Sequence, residues 1–186
     1  GKVPVMSAAD LYLNEHREYG LSTYSLHSDG SGVCYSSRLR PILNMRPKYR
    51  HWLSPSLWQL NADLHLTDWL EEKNIDFDVM TDEDLHVEGV DLLNRYKCVL
   101  TGSHPEYSSE KMLAAYESYQ LNGGRWIYLG ADGFYWISEY HPDNLNIIEV
   151  RKGEAGTRAW TANPGEYNNA FDGKFGGMWR ARGRIP

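Results

Sequence analysis

The sequence is poor in cysteine, with Cys34 and Cys98 as the only two among 186 residues. A small secreted protein held together by disulfides would carry more, so that class is excluded and a reducing cytoplasmic location is predicted. No apolar run approaches the roughly eighteen residues that cross a bilayer. Residues 1–4 also lack the apolar core of a signal peptide.

An excess of positive charge is missing as well. The chain has 19 Lys and Arg against 25 Asp and Glu, which gives a net charge of -6. Its basic residues are scattered rather than clustered along the chain. Neither nucleic acid nor an anionic membrane is therefore expected as the main partner.

Common catalytic signatures are missing too. There is no Gly-x-Ser-x-Gly elbow, which excludes the most frequent form of serine hydrolase, and no phosphate loop or dinucleotide fingerprint. Cys98 falls inside a predicted strand instead of at a strand-to-helix turn, so a cysteine nucleophile is not expected. The histidines without metal-ligand spacing are predicted to be hydrogen-bonded or to face solvent. These are His27, His51, His86 and His141.

What the chain does have is a composition typical of a folded domain. Hydrophobic residues make up 41% of it and aromatic residues 13%, so one globular domain with a sizeable core is expected. The 7 Trp and 13 Tyr are predicted to fill that core and a subunit interface.

Helical and strand patterns alternate along the middle of the chain. This alternation predicts parallel βαβ units and a flavodoxin-like α/β fold, with a doubly wound, mainly parallel sheet. The predicted helices are 55–73, capped by Ser54, and 109–121, capped by Ser108; the predicted strands are 75–80, 97–102, 126–130 and 147–150.

The chain divides by composition into a loop-rich segment at 1–53, an α/β core at 54–152 and an irregular Gly-, Arg- and Trp-rich segment at 153–186. No convincing strand precedes the first predicted helix. We therefore expect the sheet to lack its first strand here and the chain to be part of one larger domain; the alternative is an independent domain with an unusual N-terminus. The tail is predicted to pack on other domains or subunits, through Trp160, Trp179, Arg180 and Arg182.

Three polar turns follow the predicted strands, at 81–84, 103–106 and 131–133, and ligands of open α/β sheets bind beyond the carboxyl ends of strands. The middle turn is the richest, because His104 and Glu106 stand two residues apart. In an extended backbone both would project to one side, where the carboxylate could bind a metal and the imidazole could bind it or orient water. They could equally cap the following helix.

Several segments, in this order, are similar to those of a known family. They are 20–24, 27–32, 40–41, 46–47, 61–64, 81–86, 101–107, 130–136, 149–151 and 158–160. Together they resemble the large subunit of the N,N-dimethylformamidase family across essentially all of the chain, and the fold expected is class I glutamine-amidotransferase-like.

The resemblance implies hydrolysis of a small formamide to an amine and formate at a mononuclear Fe(III) ion held by two tyrosines and one glutamate. Tyr24 matches one tyrosine ligand and Glu106 matches the glutamate. The other tyrosine would lie upstream of residue 1. The partners implied are the small subunit of the enzyme and further copies of the large subunit.

The resemblance also implies roles for three neighbouring residues. His104 matches a histidine beside the iron, and Lys152 aligns with a basic position of the active site. Asp132 falls where the family commonly carries asparagine, so its part in orienting the substrate differs from the family pattern.

Two other functions fit the same fold. One is a glutamine-amidotransferase-like domain that has lost its nucleophile and serves binding or assembly. The other is a sugar-related hydrolase or isomerase. Colour from tyrosinate-to-iron charge transfer in the purified full-length protein would distinguish the iron enzyme from both.

Overall fold

A computed structural model of the chain describes residues 7–50, 56–153 and 161–184. It contains helices and small sheets, which confirms the α/β class. The helices are α1 Ala8–Glu15, α2 Leu60–Glu72, α3 Asp82–Glu88, α4 Val90–Leu93 and α5 Glu110–Leu121, with 3-10 helices at Arg17–Tyr19 and Trp179–Arg182. The strands are β1 Tyr35–Ser37, β2 Cys98–Leu100, β3 Tyr107–Ser108, β4 Arg125–Ile127, β5 Trp136–Ile137, β6 Glu139–His141 and β7 Asn144–Glu149.

The chain forms two compact units. The first comprises residues 1–20 and 40–79, and the second comprises residues 21–39 and 80–186. The division of the sequence into three segments stays a prediction.

In the first unit, Tyr49 joins the two helices. Its hydroxyl donates to the Asp10 carboxylate of α1 at 2.5 Å, and its carbonyl accepts from the Asn61 side chain of α2 at 3.0 Å. Helix α2 begins at Leu60 with Gln59 at its N-cap, so the predicted start at residue 55 is wrong; the expected cap Ser54 lies outside the described residues. The apolar face expected on α2 is only partly buried: Leu70 is its buried member, and Leu64 and Trp69 are exposed.

Two predictions in this part of the chain are wrong. Helix α1 lies in the segment expected to be loop, and it begins with a capping box in which Ser7 and Asp10 bond each other's backbone. The predicted strand at 75–80 is irregular, with the Val79 side chain 76% exposed. Its apolar residues alternate as in a strand, but a strand is stable only where a neighbour pairs with it.

The core of the second unit lies between α3, α4 and α5, where Leu93, Met112 and Tyr119 are buried. Strands β2 and β4 pair in parallel and are joined through α5, which forms one βαβ unit as predicted. The cap of α5 is Ser109 rather than Ser108, and its side chain accepts from the Met112 N–H at 3.3 Å.

The other strands form a three-stranded antiparallel sheet in the order β1-β7-β6 and a two-residue parallel pair of β3 with β5. The predicted strand 147–150 exists as the longer β7, but it pairs antiparallel on both sides. Within the described ranges the parallel strands do not join into one doubly wound sheet, so the flavodoxin-like architecture stays a prediction.

The C-terminal segment packs on its own chain. Trp179 is fully buried against Leu113 and Ile137, and its indole N–H donates to the Ser108 carbonyl at 3.2 Å. The Arg182 guanidinium pairs with the carboxylate of Asp172 at 3.0 Å. The prediction that these tail residues pack on other domains is therefore wrong for Trp179 and Arg182; Arg180 is exposed, and Trp160 lies outside the described residues.

Among the described residues, no helix combines the length and apolar character needed to cross a bilayer. The two cysteines, Cys34 and Cys98, are both free thiols.

Candidate functional site

Two of the three predicted polar turns meet in the second unit. The backbone of Ala131 donates to the Ser103 carbonyl at 3.0 Å, and that of Phe134 donates to the Pro105 carbonyl at 2.7 Å. The turn after β2 and the turn after β4 are therefore fastened together by main-chain hydrogen bonds. Their polar side chains are held at one edge of the β2–β4 pair, as the position of ligand sites in α/β proteins requires.

The contact between these two turns depends on Gly130 and on strained backbone at Asp132 and Phe134. A Cβ on Gly130 would overlap the Pro105 ring and lie 3.0 Å from the Ser103 carbonyl oxygen. Asp132 and Phe134 adopt left-handed conformations, with φ of 51° and 54°. Aspartate and asparagine tolerate this region, whereas for a bulky residue it is strained, and strain of this kind is concentrated at functional sites.

The backbone at His104 and Glu106 is not extended. The Glu106 N–H donates to the His104 carbonyl at 2.8 Å and closes a three-residue turn around Pro105, so the two side chains are not arranged as in a strand. The capping alternative is wrong as well, because Ser109 caps the following helix.

The third predicted polar turn has a structural role. Thr81 caps α3, and the Asp84 carboxylate accepts from the Thr81 N–H at 2.9 Å in a capping box. The hydrogen bonds from the Thr81 side chain and backbone lower the pKa of Asp84.

Lys152 reaches the site from the end of β7. Successive side chains of an extended segment point to opposite faces, so Lys152 shares the face of Val150, which packs on Trp136. The Lys152 side chain is fully buried, and its ammonium donates a hydrogen bond to the Tyr107 hydroxyl. The same nitrogen lies 3.4 Å from the ring centre of Tyr24, 4.6 Å from that of Tyr107 and 5.2 Å from that of Trp136.

Tyr24 completes this cluster. Its hydroxyl lies 3.4 Å from the Tyr107 hydroxyl, and 51% of the residue is exposed. A phenol that is open to solvent on one side and touches buried polar groups on the other can meet a ligand from outside.

Burial drives the charged groups of the site toward their neutral forms. It raises the pKa of Glu106, and the Asp132 charge adds to this effect, while the Lys152 and His104 charges oppose it. Burial lowers the pKa of Lys152 to about 7 against the opposing charge of Glu106. Burial, followed by the contact with Tyr24, raises the pKa of Tyr107 far above its usual range. Such shifts are typical of functional sites.

The five residues singled out from the sequence lie in one unit. The charges of Lys152, Asp132 and His104 act on Glu106, and Lys152 contacts Tyr24. Tyr107 and Trp136 were not singled out. Tyr107 directly follows Glu106, but its importance comes from Tyr24 and Lys152, which are distant in sequence and offer no local pattern.

The donor set suits a hard metal ion. Tyr24 and Glu106 offer phenolate and carboxylate oxygen, the donors that hard cations prefer, and this type of donor fits the expected Fe(III). A separate group of carboxylates, at Glu110, Glu139 and Asp172, contains its own cation, because the Arg182 guanidinium lies between 3.0 and 3.9 Å from all three.

Comparison with known proteins agrees with the resemblance seen in the sequence. The chain is 51% identical over 185 residues to the N,N-dimethylformamidase beta subunit of Paracoccus aminophilus and 50% identical over 185 residues to that of an Alcaligenes species. In each case the alignment covers 99% of this chain and 24% of the relative, so the chain spans about a quarter of the length of these curated proteins. Residues 11–186 match the family described as N,N-dimethylformamidase beta subunit-like, C-terminal, and the chain belongs to that family.

Proposed function

We propose that the chain contributes the active site of an enzyme that hydrolyses N,N-dimethylformamide, or a related small formamide, to an amine and formate. Two relatives at about half identity carry this activity in their names. The observation that carries the proposal is that the buried Lys152 nitrogen lies 3.4 Å from the ring centre of Tyr24 and is also influenced by the charge of Glu106.

Tyr24 and Glu106 are proposed as two ligands of a mononuclear Fe(III) ion. When bound, such an ion would act as a Lewis acid and supply hydroxide from water near neutral pH. Because metal binding withdraws electron density from a carboxylate, Glu106 is assigned the role of ligand rather than that of base.

Lys152 and His104 are proposed to handle charge and protons. A buried amine can donate hydrogen bonds to a carbonyl oxygen as negative charge builds on it, and such stabilisation is strong where water is excluded. The His104 imidazole can carry a proton to the departing amine. General acid-base catalysis of this kind contributes about 10²–10⁴-fold in rate.

Asp132 bears on the choice of substrate. An ionised carboxylate only accepts hydrogen bonds, whereas an asparagine amide also donates. N,N-dimethylformamide has no N–H to offer, while formamides with one N-substituent have such a donor. We propose that Asp132 favours a related formamide that retains an N–H.

The wider assembly follows from the same relatives. Their designation as beta subunits supports a multi-subunit enzyme, and we propose that it contains a small subunit and further large-subunit copies in the cytoplasm. The unit β2-α5-β4 is proposed to be part of a flavodoxin-like, glutamine-amidotransferase-like sheet.

The test uses the complete polypeptide that carries these residues, with iron measured by elemental analysis and dimethylamine release measured from N,N-dimethylformamide. Glu106→Ala is expected to remove iron and activity together. The control Glu117→Ala changes a glutamate whose side chain is 65% exposed on α5, and it is expected to keep both.

Each contrary outcome corrects a different part of the proposal. Iron retained in Glu106→Ala contradicts the ligand assignment, and full activity without iron contradicts the cofactor. A protein that neither holds iron nor cleaves formamides favours the alternative of an amidotransferase-like binding or assembly domain.

A further inference from the structure

The Lys152 ammonium has few polar neighbours for a fully buried charge. An ammonium group offers three donors, and among the described residues the acceptor it reaches is the Tyr107 hydroxyl. Its other near neighbours are the faces of aromatic rings, and the Glu106 carboxylate acts on it through its charge without a hydrogen bond. The placement of the lysine nitrogen therefore depends on one phenol more than on any other polar group.

Tyr107 is itself firmly held. Its backbone lies in β3 and pairs with Trp136 of β5, and its ring packs in the cluster of Trp136 and Val150. The phenol is thus built on paired strands and on a packed core rather than on a free loop, which is the kind of support that fixes a functional group in position.

Tyr24 lacks such support. It lies outside the named strands and helices, and its backbone N–H donates to the Ser22 side chain at 3.2 Å. The polar and cation–π contacts of its phenol within the described residues are the Tyr107 hydroxyl at 3.4 Å and the Lys152 nitrogen over its ring. The polar groups that orient the Tyr24 phenol are therefore the same pair.

We infer that Tyr107 is a positioning residue of the candidate site, whose single hydroxyl both holds the Lys152 ammonium and orients the Tyr24 phenol. Lys152 donates to the Tyr107 oxygen, which leaves the Tyr107 O–H free to donate to the Tyr24 oxygen. Hydrogen bonds to the oxygen of a metal ligand orient that ligand and tune its donor strength. The consequence for catalysis rests on the proposed function, but the chain of contacts does not.

The first test removes the hydroxyl with Tyr107→Phe, which keeps the ring and its packing. The readout is the rate at which Lys152 reacts with trinitrobenzenesulfonate at one fixed pH in the metal-free complete polypeptide, followed by peptide mass spectrometry and divided by the rate of backbone amide exchange around residue 152, which corrects for opening of this buried site. Loss of one charge-assisted hydrogen bond is expected to speed labelling about tenfold. The control Tyr135→Phe, in the same aromatic cluster, is expected to leave the rate unchanged.

Equal labelling rates in Tyr107→Phe and in the unmodified protein would overturn the inference. If Tyr107→Phe does not fold, 3-fluorotyrosine at position 107 replaces it, since fluorine weakens the oxygen as an acceptor and changes the shape little. Faster labelling supports the role of the hydroxyl, and an unchanged rate overturns it.

The second test reads the Tyr24 contact from the visible absorption of the iron-loaded protein. Without a donor from Tyr107, the Tyr24 phenolate is more electron-rich, and its charge-transfer band is expected to move to longer wavelength in Tyr107→Phe but not in Tyr135→Phe. An unmoved band overturns this half of the inference. A protein that holds no iron and cleaves no formamide defeats the proposed function, while the labelling test still decides on Tyr107.

Discussion

Glu149 and Lys152 lie three residues apart, and both are fully buried, but their surroundings differ. The Glu149 carboxylate accepts from the backbone N–H groups of Ala170 and Phe171 at 2.8 and 2.9 Å and pairs with Arg151 at 2.7 Å. Within the described residues, the Lys152 ammonium has one hydrogen-bond partner, the Tyr107 hydroxyl, together with three aromatic faces and the charge of Glu106, which makes no salt bridge with it. The charge of Glu149 is compensated by several polar partners, whereas the charge of Lys152 has a single hydrogen-bond partner in the described part of the chain.

This difference separates a structural charge from a functional one. Residues 149 and 151 face the C-terminal segment, whereas 150 and 152 face the candidate site, as the alternation of an extended strand requires. A buried charge with several partners anchors the chain, whereas one with few partners destabilises the fold and indicates a functional role. We name the first group, Glu149 with Arg151 and residues 170–171, the tail anchor.

The largest expected effect comes from breaking the tail anchor. Glu149→Ala removes the acceptor of the Arg151 guanidinium and of the Ala170 and Phe171 N–H groups, and loss of one partner of a buried pair costs about 3–5 kcal/mol in the free energy of unfolding. Urea denaturation of the complete polypeptide measures this loss. The control Glu83→Ala breaks the pair of Glu83 with Arg38, which is more exposed, and is expected to cost about 1 kcal/mol or less. Equal losses in the two variants would show that compensation of the charge is not what distinguishes the anchor.

His86 is a buried group that belongs to neither the tail anchor nor the candidate site. It tests whether a side chain that is buried in its neutral form also loses stability when it must carry a charge. The His86 imidazole is hydrogen-bonded to the Ser109 hydroxyl at 2.8 Å, and its ring centre lies 4.4 Å from that of Tyr140 in a tilted arrangement. Burial, helped by the Lys111 charge, lowers the pKa of His86 from 6.5 to about 4. Between these two values the unfolded chain binds the proton and the folded chain does not, so stability is full above pH 6.5 and falls as the pH decreases toward 4.

The loss over this pH range reaches at most about 3 kcal/mol, at about 1.4 kcal/mol per pKa unit. Unfolding free energies measured by urea at several pH values provide the test. His86→Asn can keep a hydrogen bond to Ser109 but cannot be protonated in this range, and it is expected to flatten the profile. A profile that keeps its slope in His86→Asn would assign the acid sensitivity to other groups.

The sequence predicted those features whose causes are local. The extent of α5 and the polar turns after β2 and β4 are encoded within a few residues, although the cap of α5 is Ser109 rather than the predicted Ser108. The strand at 75–80 failed because its alternation was right but no neighbour pairs with it. Trp179 was assigned to an interface because its burial depends on residues about seventy positions away. Tyr107 was missed for the same reason.

The contact between the two turns of the site allows a smaller effect to be tested. In Gly130→Ala the new methyl group collides with Pro105 and approaches the Ser103 carbonyl, and overpacking of this kind costs about 1–3 kcal/mol. Because the turn that carries Glu106 must shift, activity is expected to fall about 10²-fold, more than the loss of stability explains. The control Ala131→Gly changes the next residue, which is exposed. Full activity in Gly130→Ala would show that the close approach of the turns does not position the site.

The smallest effect on stability, and the sharpest contrast with the tail anchor, is expected for Lys152. Lys152→Met keeps the length of the side chain and removes a charge that burial destabilises, so the free energy of unfolding is expected to stay equal or rise by about 1 kcal/mol. Formamide hydrolysis by the complete polypeptide is expected to be lost in the same variant, because the amine that faces Tyr24 and Tyr107 is gone. Urea denaturation and an activity assay on one preparation measure both quantities. Stability that is kept or gained while activity is lost is the mark of a residue kept for function. A Lys152→Met variant that instead loses several kcal/mol in the free energy of unfolding would show that Lys152, like Glu149, is a structural charge.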